Sequence, residues 1–155
     1  MFKRLIDFHL DKWKTDSFRK PLLLRGARQV GKTHAIRRLG SQFPSFVEVN
    51  FERLKDACSI FEKDLDPERI ILSLSLLLKT TITPGKTLLF LDEIQEAPRA
   101  ILSLRYFYEE MPGLHVIAAG SLLEFAIEKV GVPVGRISML HMYPLSFLEY
   151  LVAKN

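Results

Sequence analysis

The chain has 155 residues, 48% of them apolar and 26% charged, with a net charge of +4 and one cysteine. That length suits a single domain with a real core, and the composition argues against disorder and collagen-like repeats. Cys58, standing alone, excludes an intrachain disulfide or a multi-cysteine zinc site and fits a reducing, cytoplasmic setting.

Taken in order, Phe2, Leu5, Ile6, His9, Leu10 and Trp13 recur at helical spacing, so an amphipathic helix is expected over residues 2–14. Asp7 and His9 interrupt the stretch after Met1, so no signal-peptide core forms. Leu22-Leu23-Leu24 reads as a strand buried on both faces. Gly26 to Thr33 reads as a loop, followed by a helix that Gly40 ends. Residues 46–51 are a second expected strand, and residues 53–63 and 67–79 two helices, the second with Pro67 in its first turn. The longest apolar run, Ile70 to Leu78, is interrupted by serines and too short to cross a membrane. Thr87 to Leu91 and His115 to Ala119 are further strands, separated by a helix from Pro98 to Met111. Ser121 opens a helix through Lys129, capped by Ser121 and Glu124 in a capping box. Val134 to Met142 reads as a fifth strand and Pro144 to Val152 as a last helix. Strands alternating with helices call for a parallel sheet covered on both faces: an α/β, three-layer α/β/α core.

The chemistry concentrates in three places. Gly26-Ala27-Arg28-Gln29-Val30-Gly31-Lys32-Thr33 matches G-x-x-x-x-G-K-[ST] between a strand and a helix. Glycines allow the loop's amides to point inward as an anion nest, and the helix N-terminus adds its dipole. Lys32 supplies a charge for the β- and γ-phosphates, and Thr33 a hydroxyl for Mg²⁺. His34 follows on the same helix end. The charge distribution agrees, because residues 1–40 hold 11 Lys/Arg against three Asp while the remainder holds 11 against 15 Asp/Glu. A basic first quarter invites phosphates, on a nucleotide or on nucleic acid. The second place is Asp92-Glu93, closing an apolar strand at the edge where α/β sheets bind ligands. Asp92 is read as a Mg²⁺ ligand and Glu93 as the group that orients a water, against the plainer reading of a helix N-cap. The third is Ser121, at a strand end, as a second holder of that water or simply a cap.

With these residues in place, GARQVGKT, LLFLDEIQ, IAAGSLLE and GRISMLHMYPLSFLEYL resemble the ATPase domain of the AAA-type P-loop ATPases of bacteria and archaea. The resemblance runs from about Lys20 to Leu151 and implies a P-loop NTPase core with five parallel strands in the order 5-1-4-3-2. It implies Walker A roles for Lys32 and Thr33, Walker B roles for Asp92 and Glu93, and a sensor position for Ser121. It also implies that the chain, residues 1–155, is a single ATP-binding domain of a longer protein whose C-terminal domain is missing. Hydrolysis commonly needs an arginine against the γ-phosphate. Arg136 is the preferred candidate, acting within the chain or toward a neighbouring subunit, with Arg28 a surface charge or a phosphate contact. The expected function is Mg²⁺-dependent ATP hydrolysis coupled to a conformational change in a partner domain or partner protein. The alternatives are a nucleotide-binding module without turnover and a small phosphotransferase. No motif supports nucleic-acid binding, and no membrane association is expected. Phe147 and Tyr150 are expected to cover an apolar patch.

Overall fold

The leucine-rich segments pair as expected, and each strand end is fixed by the register of its neighbours. A computed structural model describes residues 3–154; Phe2, part of the expected first helix, lies outside them. The strands are β1 (Leu22–Arg25), β2 (Ser45–Asn50), β3 (Thr87–Asp92), β4 (His115–Gly120) and β5 (Ser138–His141). They form one sheet in the order β2-β3-β4-β1-β5, with every pairing parallel. This is the expected 5-1-4-3-2 arrangement, the topology of a P-loop NTPase core.

Alternation along the strands divides the core in two. Leu22, Leu24, Leu88, Phe90, Ile117 and Ala119 face one side. There they meet Ile6, Leu10 and Trp13 of α1 (Leu5–Thr15) and Ala35, Ile36 and Leu39 of α2 (Lys32–Gly40). Leu23, Val47, Val49, Leu89, Leu91, Val116 and Ala118 face the other side. That layer is closed by α3 (Asp56–Lys63), α4 (Pro67–Leu78), α5 (Arg99–Glu110) and α6 (Leu123–Val130). Six consecutive positions of β3 are buried because helices cover both faces of the sheet. The last helix, α7 (Phe147–Lys154), leaves Phe147, Leu148 and Val152 exposed.

Local chemistry sets the boundaries. Asp66 caps α4 by accepting from the Arg69 N–H at 3.0 Å, with Pro67 at the first helical position. The fifth strand is shorter than expected, because Pro133 and Gly135 shape a turn in which the Arg136 N–H donates to the Pro133 carbonyl at 3.0 Å. The expected capping box at Ser121 does not form. Leu122 takes a left-handed conformation (φ 52°), α6 begins at Leu123, and no side chain caps it.

Candidate nucleotide site

β1 ends at Arg25, and the chain turns through Gly26–Gly31 into α2, which Lys32 opens. Gly26 has φ 153°, and a Cβ there would collide with the Met142 carbonyl, so only glycine lets the chain leave β1 beside β5. Gly31 (φ 99°) and Gln29 (φ 63°) complete the curl. The loop, α2 and the ends of β2, β3 and β4 border a cleft of about 350 Å³. From the loop and α2 come Arg28, Gln29, Gly31, Lys32, Thr33 and His34. From the strand ends come Glu52, Glu93 and Ser121.

Lys32 is 9% exposed, and its ammonium donates to the carbonyls of Gly26 (2.7 Å) and Ala27 (2.6 Å). Burial lowers its pKa, while Glu93 and Asp92 pull it back up. The Thr33 hydroxyl donates to Asp92 Oδ2 at 3.0 Å, joining the loop to the end of β3. Asp92 is buried and also accepts the Glu93 N–H on Oδ1 at 3.0 Å. Burial raises the Asp92 pKa, and the Thr33 and Glu93 donors oppose that rise. A hydroxyl and a carboxylate oxygen this close form a hard-oxygen pair suited to Mg²⁺, which takes its remaining ligands from phosphate and water. Among the described residues no cluster of three His, Cys, Asp or Glu side chains offers an all-protein metal cage.

Glu93 takes a left-handed conformation (φ 53°, ψ 46°) that turns the chain off β3 into a short 3-10 turn, Ile94–Glu96. Its Oε2 accepts from Gln95 Nε2 at 2.6 Å. Ser121 is 3% exposed and its hydroxyl has no hydrogen-bond partner among the described residues. The helix cap expected for it is absent.

Arg136 stands elsewhere. Its Nε donates to Glu109 Oε1 at 2.8 Å, at the C-terminal end of α5. It precedes β5, whose first residue pairs with Leu22 at the start of β1, whereas the loop leaves the far end of β1. About 13 Å of strand separates those two edges, which removes Arg136 from the cleft of its own chain. Arg28 is the arginine that lines the cleft. The Val30 carbonyl accepts from Arg4 Nη1 at 2.7 Å, which holds the loop from behind and leaves the Val30 amide N–H to the cleft.

Two neighbours escape a motif-based reading. Gln95 ends the LLFLDEIQ stretch, but its contact with Glu93 depends on a left-handed residue that no pattern announces. Arg4 reaches Val30 across 26 positions and also donates to the Tyr143 carbonyl at 3.0 Å and to Glu149 at 3.3 Å. Cys58 stays outside the cleft, its thiol pKa raised by burial near the Phe51 and Glu96 carbonyls.

The geometry agrees with the comparison to known families. A model described as an AAA domain matches residues 18–151, and the chain belongs to that family. No curated protein matches the chain significantly. Domains of this family are generally ATPases, so nucleotide binding is the function class that the family suggests for the chain. Among the described residues no helix is long and apolar enough to cross a membrane.

Proposed function

We propose that the chain binds ATP with Mg²⁺ and hydrolyses it, passing the resulting conformational change to a partner domain or protein. The observation that carries this reading is the Thr33–Asp92 hydrogen bond of 3.0 Å, which ties the phosphate loop to the strand end beside Glu93. The amides of Gly26–Thr33 and the start of α2 cradle the phosphates, and the Lys32 ammonium turns from the loop carbonyls to the β- and γ-phosphate oxygens. Thr33 and Asp92 would hold Mg²⁺, which neutralises charge on those oxygens when bound. Glu93 accepts a hydrogen bond from the attacking water and orients it in line with the γ-phosphate. Ser121 supplies a second contact to that water. Because Arg136 lies at the opposite end of the strands, any arginine against the γ-phosphate is Arg28 or comes from a neighbour.

The test is phosphate release by the chain with ATP and Mg²⁺, alongside binding of ATP. Glu93→Gln should keep ATP affinity and lower turnover by about a hundredfold, within the usual range for a positioned acid–base group. ATP binding with no turnover, unchanged by Glu93→Gln, would instead establish a nucleotide-dependent binding module. Transfer of the γ-phosphate to a small acceptor would establish a phosphotransferase.

A further inference from the structure

The Glu93 carboxylate is held by a neighbour whose placement is costly in three ways. Gln95 Nε2 donates to Glu93 Oε2 at 2.6 Å. That contact depends on the left-handed backbone of Glu93, a conformation that strains a non-glycine residue. At its other end the Gln95 amide is pressed against β4, and Oε1 is buried without a hydrogen-bond partner among the described residues. An orphaned amide oxygen is destabilising, a cost that a methionine or leucine at the same place would not incur. The third cost falls on Gly120. A Cβ there would collide with Gln95 Oε1 and with Leu123 Cδ2, so the buried end of β4 stays bare where the amide and Leu123 pack. All three features converge on one carboxylate at the rim of the phosphate-loop cleft.

We propose that Gln95 is a positioning residue for hydrolysis: its amide fixes the Glu93 carboxylate at the cleft, and the bare backbone of Gly120 leaves room for that amide. The proposal rests on the reading of Glu93 as the water-orienting group and adds the residue that sets its direction. Gln95 does not touch the nucleotide. It acts by removing the rotational freedom of Glu93, so its effect belongs to the chemical step and not to binding.

The experiment compares Gln95→Met, Gln95→Ala, Glu93→Ala and the Gln95→Met/Glu93→Ala double variant with the wild type, each checked for folding by thermal melting. Gln95→Met should lower kcat by about tenfold or more, as loss of an orienting partner does, with KM and ADP affinity unchanged. Gln95→Ala should behave alike, which keeps the test alive if one variant folds poorly. In the Glu93→Ala background Gln95→Met should change nothing further. An unchanged kcat, a loss shared with nucleotide affinity, or effects that multiply in the double variant would overturn the proposal. Wild-type turnover separates the two readings. If wild type and Glu93→Ala release phosphate equally, hydrolysis by Glu93 fails. The Gln95 side-chain amide signals in a ¹⁵N spectrum, identified by their loss in Gln95→Met, then decide the contact itself. They should move in Glu93→Ala, and signals that stay in place refute the hydrogen bond.

Discussion

At the scale of single residues, Ser121 and Lys32 show how one cleft can trade stability for chemistry. The Ser121 hydroxyl is buried and has no hydrogen-bond partner among the described residues, so they give folding nothing for it. Ser121→Ala should leave the unfolding free energy unchanged or raise it by about 1 kcal/mol. If the hydroxyl holds the attacking water, turnover should nevertheless fall by about tenfold, within the range expected for loss of one oriented contact. Urea unfolding and phosphate release measured on the same preparation check both halves. Lys32 is the converse case. Its ammonium already rests on the Gly26 and Ala27 carbonyls, poised where phosphate oxygens would displace them. Lys32→Ala should weaken ATP binding by roughly a hundredfold, equivalent to about 3 kcal/mol for charge-assisted bonds. Calorimetric titration with ATP measures it.

At the scale of elements, a small polar network fastens α1 and α7 to the phosphate loop. Glu149 accepts the N–H groups of Leu5 (3.0 Å) and Ser146 (2.9 Å) and pairs with Arg4 at 3.3 Å, while Arg4 holds the Val30 carbonyl. Burial pushes the Glu149 pKa up, but the Ser146 and Leu5 amides and Arg4 outweigh it, leaving it at about 2 against an ordinary 4.5. A carboxylate depressed in this way stabilises the fold fully above its unfolded value. That stability is lost as the pH falls from about 4.5 toward 2. Glu149→Gln should therefore destabilise the chain at neutral pH, and the gap to wild type should narrow steadily across that window. Denaturant unfolding at a series of pH values checks the sign. A gap that widened on acidification would contradict the network.

At the scale of the whole molecule, strand order decides which residues share an edge. Inserting β4 between β3 and β1 brings Ser121 to the rim between Asp92-Glu93 and the phosphate loop. β5 lies beside β1, but it runs parallel to it, so the turn before β5, with Arg136, sits at the opposite end of the strands. Arg136→Ala should accordingly leave the ATP affinity of the isolated chain unaltered, and its exposed pair with Glu109 should contribute little to stability. Nucleotide titration of that variant checks the placement; a marked loss of affinity would mean that Arg136 reaches the cleft. The surface carries another whole-molecule feature. Phe125 of α6, Met139 of β5 and Phe147, Leu148, Tyr150 and Val152 of α7 are exposed large hydrophobic side chains.

The sequence by itself determined the phosphate loop, the acidic strand end and the alternation of strands and helices. Each is written in contiguous residues, where a required glycine, a hydroxyl or an apolar run has a fixed spacing. The strand order was legible only through likeness to a family, since no local pattern states which strand pairs with which. Tertiary structure alone decided three matters. It left Ser121 without the expected cap, because Leu122 takes a left-handed turn before α6. It carried Arg136 away from the cleft, because its turn lies at the start of a strand and not at its end. It brought Arg4 to Val30 and Gln95 to Glu93, the first across 26 positions and the second through a backbone conformation rare for glutamate. Contacts of that kind arise from the path of the chain in space, which residue types and spacing do not encode one position at a time.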